Sequence, residues 1–144
     1  GEWGHVFWDE TGGAGYCGKV GCVETVISGP ALERYYASLT GEEKSLAAIY
    51  DDFRQLNEPH AHATITRLTG SFAKAISIVI NILDPDAMVI GGGVGNLDVL
   101  YSPEAYEGIT RYVFDKEVSV PLLKPTLGDS AGVFGAALLC AADT

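Results

Sequence analysis

The chain has 144 residues, of which 47% are hydrophobic, so it can bury one core and is predicted to form a single domain. Its 19 acidic and 9 basic residues give a net charge of −10, and this balance argues against nucleic acid or an anionic membrane as a partner. No apolar run approaches the roughly 20 residues that a membrane-spanning helix needs, and residues 1–10 do not resemble a signal peptide.

The first third of the chain predicts an extended segment, a loop and two helices. Residues 1–9 carry aromatic and apolar residues around His5 and are predicted to be a strand or extended. Five glycines between residues 11 and 21 predict a loop. Residues 30–39 begin with proline after Ser-Gly and predict a short helix, and residues 41–56 predict an amphipathic helix.

The clearest element is a long helix over residues 62–83. Its apolar residues recur every three or four positions, which predicts a buried face made of Ile65, Leu68, Phe72, Ile76, Val79, Ile80 and Leu83. Asp84-Pro85 should end it. Residues 87–90 then form a short apolar run, predicted to be a buried strand that leads into Gly91-Gly92-Gly93.

The last third predicts a helix over residues 103–115, a strand over 118–123, and a glycine turn followed by a small-residue helix over 128–143. Helices that alternate with strands are typical of an α/β fold. The sequence therefore predicts one α/β domain.

The loop GYCGKVGCVE carries Cys17 and Cys22, and its purpose has several interpretations. A disulfide is disfavoured because the spacing is short, and because three cysteines at dissimilar spacings do not resemble a secreted disulfide framework. We therefore expect a cytoplasmic protein. The two thiols are either free and partly buried, or they bind Zn²⁺ with His5, although a structural zinc site normally has four ligands.

Two glycine-rich turns are candidates for a nucleotide site. Gly91-Gly92-Gly93 follows a predicted strand, and Gly128–Gly132 precedes the last predicted helix. Backbone N–H groups at such helix starts suit phosphate or ribose oxygens, but a tight turn with close helix packing explains a single glycine cluster equally well.

Four blocks of the sequence together resemble the ROK family of sugar kinases and sugar-responsive repressors. They are GEWGH, GYCGKVGCVETVISG, INILDPDAMVIGGGVGN and GDSAGVFGAA, and they span nearly the whole chain. In detail the chain is most similar to the bacterial ROK fructokinases. The resemblance implies an actin-like (ribonuclease-H-type) ATPase fold, in which sugar and ATP meet in a cleft between two lobes.

The resemblance also implies roles for particular residues. Glu2 and Glu24 would hydrogen-bond sugar hydroxyls, and His5 would contact the sugar with one ring nitrogen and zinc with the other. Metal on one nitrogen would fix the tautomer and orientation of the ring. The cysteine loop would thus aim both His5 and Glu24 at the sugar.

The chain departs from the family's cysteine pattern, Cys-x-Cys-Gly-x-x-Gly-Cys, because Gly15 stands at the first cysteine. The implied zinc ligands are therefore His5, Cys17 and Cys22, with water or a side chain such as Asp9 or Glu10 in the fourth place. Cys140 lies in the predicted small-residue helix and is interpreted as a packing residue.

The triple glycine corresponds to the family's adenosine motif, so Gly91, Gly92 and Gly93 would approach the nucleotide, with Asp129 and Ser130 near the same pocket. The family's catalytic Asp and its two phosphate loops have no counterpart in this sequence. We therefore expect residues 1–144 to be the C-terminal lobe of a longer protein, with a zinc-loop segment at residues 5–24. Its start at Gly1 and its single methionine, Met88, agree with this expectation.

The leading hypothesis is part of a hexose kinase that uses ATP with Mg²⁺, namely a fructokinase that converts fructose to fructose 6-phosphate. A homodimer and a separate N-terminal lobe are expected partners. The alternative is the effector-binding lobe of a ROK transcriptional repressor, and a third interpretation is a lobe that only binds ligands.

Overall fold

The computed structural model of the protein describes residues 2–115, 117–126 and 131–139. These residues form six helices and one pair of short strands: α1 (Val23–Ile27), α2 (Gly29–Thr40), α3 (Leu46–Gln55), α4 (Pro59–Leu83), β1 (Met88–Val89), α5 (Pro103–Thr110), β2 (Leu122–Leu123) and α6 (Ala131–Leu139). Short 3-10 turns lie at Trp3–His5, Glu10–Gly12, Gly93–Asn96 and Asp98–Tyr101. The mixture of helices with a parallel strand pair confirms the prediction of an α/β fold.

Helix α4 organises the core, as the apolar spacing predicted. Ile65, Leu68, Phe72 and Ile76 are each at most 3% exposed, and α4 packs against α1, α2, α3 and α5. Burying side chains of this size contributes about 1.5–3 kcal/mol each to stability. Leu83 was wrongly included in the buried face, since it is 67% exposed at the end of the helix.

By length and hydropathy α4 is the one candidate membrane span in the described part of the chain, contrary to the expectation from the sequence. Half of its most apolar stretch is buried inside the protein. Contacts with four neighbouring helices therefore explain its apolar composition.

Side-chain caps set the helix boundaries. The Ser28 hydroxyl accepts a hydrogen bond from the Ala31 amide and begins α2, and the Ser45 hydroxyl does the same with Ala48 for α3. The predicted start of the second helix at residue 41 was therefore wrong, because Gly41 adopts a left-handed φ of +77° and ends α2.

The strands β1 and β2 pair in parallel, with Met88 opposite Leu122 and Val89 opposite Leu123. The Met88 amide donates to the Pro121 carbonyl, and the Ile90 amide donates to the Leu123 carbonyl. Both strands were predicted, but each is shorter than its apolar run, and β1 is not the buried strand that was expected, since Val89 is 62% exposed. The pair matters for the site because β1 leads directly into the triple glycine.

Three further parts of the chain differ from prediction. The N-terminal segment is not extended throughout, because Trp3–His5 forms a 3-10 turn. The helix predicted over residues 103–115 ends at Thr110. The short helix α1 had no counterpart in the sequence prediction, because four of its five residues, in the run VETVI, are of the β-branched type that favours strands.

Candidate functional site

The cysteine loop folds back onto the N-terminal segment through backbone hydrogen bonds. The Trp8 amide donates to the Gly21 carbonyl at 2.6 Å, and the Val23 amide donates to the Val6 carbonyl at 3.0 Å. Together with a bridge between Phe7 and Cys22, these bonds place the loop against the segment that carries His5. Residues 2–5 and the loop at residues 15–24 thereby pack together.

Two glycines allow this close approach. Gly21 has a φ of +74°, and a Cβ atom there would collide with the Asp9 carbonyl. A Cβ atom at Gly12 would collide with the Thr25 hydroxyl. Larger residues at either position would push the loop away from the N-terminal segment.

His5, Cys17 and Cys22 converge as candidate metal ligands. One donor atom from each lies within 4.8 Å of the other two. The two sulfur atoms are 3.6 Å apart, close to the separation of about 3.8 Å expected for two thiolates at 2.3 Å from a tetrahedral zinc. His5 Nδ1 is buried without a hydrogen-bond partner in the described residues. The His5 imidazole, whose Nδ1 has no other partner in the described residues, and the thiols of Cys17 and Cys22 are a set of donors that fits Zn²⁺.

The two side chains expected as fourth ligands do not join the cluster. Asp9 accepts hydrogen bonds from the Thr11 amide, at 2.7 Å, and from the Thr11 hydroxyl, and this hydroxyl lowers the pKa of Asp9. Glu10 is exposed. A Cβ atom built on Gly15 would lie 3.6 Å from the sulfur of Cys17, so this glycine leaves open the place from which a further ligand could reach.

The chemistry of the thiols depends on whether a cation is bound. Burial of Cys22, followed by its contact with Cys17, raises the pKa of the Cys22 thiol. A raised pKa keeps the thiol protonated at neutral pH, and only the thiolate is a strong metal ligand. Without a metal, Cys22 therefore remains a neutral thiol.

The other nitrogen of His5 points toward polar groups. Nε2 lies 2.7 Å from the Tyr16 hydroxyl and 3.8 Å from Oε2 of Glu24. Glu24 stands in the first turn of α1, and Gly4 lies beside it, since a Cβ atom on Gly4 would be 3.7 Å from Cβ of Glu24. The structure thus brings His5 and Glu24 together, whereas Glu2 is exposed at the start of the first 3-10 turn.

Glu24 also lines a cleft of about 890 Å³ that reaches the triple glycine. Gly91, Gly92 and Gly93 form part of its wall. Residues of the N-terminal parts of α2 and α3 also line it, including Ser28, Glu33, Ser45 and Ala47. The sequence analysis did not identify these lining residues or Tyr16 as site residues. Ser and Pro at the start of a helix predict a helix cap and give no sign of a cavity.

The glycines of this turn have different structural roles. Gly92 has a φ of +80°, a conformation that side chains rarely adopt. A Cβ atom at Gly95 would collide with the Ile90 carbonyl. At Gly91 and Gly93 the position of a Cβ atom is open space with no atom within 4 Å, so contacts with the described residues do not explain glycine there. Asp129, Ser130 and Cys140 lie outside the described residues.

Comparison with known proteins identifies the family of this chain. The sequence model that describes the ROK family matches residues 1–143. The chain is 36% identical over 124 residues to the N-acetyl-D-glucosamine kinase of Pasteurella multocida and 37% identical over 128 residues to that of Mannheimia succiniciproducens. In both cases the match covers 85% of this chain but only 40% of the relative, so the chain spans less than half the length of these curated relatives.

Solved structures give the same result. The ROK hexokinase from Thermus thermophilus matches the whole chain and 49% of its own length, with 30% identity and a TM-score of 0.78. A ROK glucokinase from Streptomyces griseus, solved with glucose and AMPPNP, matches 96% of the chain and 50% of its own length, with 27% identity and a TM-score of 0.76. A ROK transcriptional regulator, a homolog of the E. coli MLC protein, matches 86% of the chain and 34% of its own length, with 27% identity and a TM-score of 0.71.

Proposed function

The chain belongs to the ROK family, and we propose that it is the C-terminal lobe of an ATP-dependent hexose kinase. The observation that carries this proposal is the cleft of about 890 Å³, whose lining includes both Glu24 and Gly91–Gly93. A kinase must hold the sugar and the nucleotide in one continuous space, since phosphoryl transfer needs both substrates in line.

In this proposal Glu24 and His5 form the sugar side of the cleft. An ionised carboxylate accepts hydrogen bonds from hydroxyl donors, and the imidazole supplies a further polar contact next to it. The separation of 3.8 Å between His5 Nε2 and Glu24 Oε2 lets one sugar hydroxyl contact both groups. Glu2, exposed at the rim, is proposed as a further hydroxyl acceptor.

Zinc is proposed to hold the sugar side in shape, with His5, Cys17 and Cys22 as its ligands. When bound, it would supply a fixed charge that orders the loop and sets the tautomer of His5. The unpartnered Nδ1 of His5 supports this assignment.

The triple glycine is proposed as the nucleotide side. Open space at Gly91 and Gly93 allows a ligand to approach the backbone closely. Asp129 and Ser130 remain proposed nucleotide contacts. The other half of the protein, corresponding to the unmatched part of the relatives, is proposed to supply the catalytic Asp and the phosphate loops for ATP with Mg²⁺.

The proposal also includes the hexose that the kinase prefers. Fructose remains our prediction from the sequence, whereas the similar proteins include kinases of N-acetyl-D-glucosamine and a glucokinase. A hydroxyl-binding pair such as His5 and Glu24 suits all three sugars. The cytoplasm remains the proposed location and a homodimer the proposed assembly.

The similarity to the ROK transcriptional regulator favours a second candidate, the effector-binding lobe of a repressor. The two candidates differ in nucleotide binding. Calorimetric titration of the purified chain with ATP and Mg²⁺, and separately with fructose, glucose and N-acetyl-D-glucosamine, should detect both kinds of ligand if the kinase proposal is correct. Sugar binding without any nucleotide binding would favour the repressor, and binding of neither would contradict both.

A further inference from the structure

The Tyr16 side chain occupies the place on His5 that the proposed function gives to the sugar. Its hydroxyl lies 2.7 Å from Nε2, and the two rings meet edge to face with centroids 5.1 Å apart. Nδ1 is buried, whereas Nε2 lies 3.8 Å from Oε2 of Glu24, a residue that lines the cleft, so Nε2 is the nitrogen on the side of the proposed sugar site.

We propose that Tyr16 competes with the substrate: its hydroxyl replaces a sugar hydroxyl on His5 in the empty site and leaves when the hexose binds. This inference rests on the proposed function. A phenol and a sugar hydroxyl offer the same hydrogen-bonding groups, one donor and two acceptor lone pairs. When Nδ1 holds a metal, Nε2 carries the ring proton. It can donate this proton to the Tyr16 hydroxyl or to a sugar hydroxyl, but not to both at once.

The position of Tyr16 allows this exchange. Its side chain is 82% exposed, so turning it away loses few packing contacts. It lies on a turn closed by a bond from the Gly18 amide to the Gly15 carbonyl, and Gly18 has a φ of +77°. Displacing Tyr16 therefore costs little more than its hydrogen bond and its edge-to-face ring contact with His5.

The substitution Tyr16→Phe removes the hydroxyl and keeps the ring. We expect the variant to bind hexose about two- to tenfold more tightly, the effect of one net hydrogen bond that no longer competes. The purified 144-residue chain would be titrated with fructose, glucose and N-acetyl-D-glucosamine, with the nuclear magnetic resonance signals of the His5 ring as the readout. Tyr112→Phe, at an exposed tyrosine after α5, is the matched control and should leave the dissociation constant unchanged.

The outcomes separate this inference from the proposed function. Tighter binding by Tyr16→Phe, or binding by that variant alone, supports the competition. Sugar binding by the unmodified chain with an unchanged or weaker constant in Tyr16→Phe overturns the competition and leaves the sugar site standing. Failure of both proteins to bind any of the three sugars overturns both.

Discussion

Glu24 is the residue on which the proposed sugar site depends most directly. In the complete protein we expect Glu24→Gln to weaken sugar binding more than ATP binding. The amide replaces one acceptor oxygen with a donor, which would face a hydroxyl donor of the sugar. Losing one charge-assisted bond should cost on the order of 2–3 kcal/mol, or roughly 30- to 150-fold in affinity.

Sugar titration by calorimetry measures this change, and the dissociation constant for ATP is the internal control. Glu43→Gln, at an exposed acid outside the cleft wall, is the matched variant and should bind sugar normally. An unchanged sugar constant in a folded Glu24→Gln protein would mean that Glu24 is only a surface acid at the start of α1.

Gly93 tests the nucleotide side in the same way. Since a Cβ atom there meets no protein atom within 4 Å, Gly93→Ala should leave the free energy of unfolding unchanged or raise it by about 0.4–1 kcal/mol. The added methyl group should weaken ATP binding about tenfold, equivalent to about 1.4 kcal/mol.

Gly92→Ala is the contrasting variant. Its φ of +80° strains any side chain, so we expect a loss of about 1–3 kcal/mol in stability. Denaturant unfolding and ATP titration of the two variants distinguish backbone strain from ligand approach. Full ATP affinity in Gly93→Ala would remove the triple glycine from the proposed nucleotide site.

At the scale of elements, we predict that bound zinc stabilises the cysteine loop. We expect the purified protein to carry zinc and Cys17→Ser to lose it, with a lower melting temperature, because a structural site contributes its binding free energy to folding. Cys22→Ser should behave alike, although Cys22 is buried and its loss also disturbs packing.

Cys140→Ser is the control, since Cys140 is not among the proposed ligands. Gly15→Cys should hold zinc more firmly against a chelator, because its Cβ atom would lie 3.6 Å from the sulfur of Cys17. Metal analysis decides the matter: equal zinc content in the unmodified protein and in Cys17→Ser would exclude the loop as the site.

The start of α4 gives a prediction about pH. Hydrogen bonds from the His60 and Ala61 amides to the Glu58 carboxylate lower the pKa of Glu58 below its ordinary value. A lowered pKa contributes stability that is fully present above the ordinary pKa and is lost as pH falls through the lowered one. Melting curves between about pH 6 and pH 3 should therefore show Glu58→Gln less stable than the unmodified protein at pH 6, and the two converging in acid. A difference that stays constant with pH would contradict the role of the charge.

The sequence predicted elements well where one local pattern determines the structure. The spacing of Ile65, Leu68, Phe72 and Ile76 predicted α4, because a long buried helix needs only one apolar face. Helix α1 was missed since tertiary contacts, such as the bond from the Val23 amide to Val6, override the strand preference of its β-branched residues. The convergence of His5 with the cysteines was expected, whereas an exposed Tyr16 in a glycine loop leaves no periodic signal.

At the scale of the whole molecule, the chain accounts for less than half of the length of its curated relatives, and this leads to the last prediction. The purified 144-residue chain should show no sugar-dependent consumption of ATP. Phosphoryl transfer needs a base for the sugar hydroxyl and groups that hold the polyphosphate, and we propose that the other half of the protein supplies both. A coupled ATP-consumption assay with fructose, glucose and N-acetyl-D-glucosamine measures this, with the N-acetyl-D-glucosamine kinase of Pasteurella multocida as the positive control. Turnover that depends on sugar and disappears in Glu24→Gln would mean that a catalytic base lies within these 144 residues, and the proposed division of labour between two lobes would be wrong.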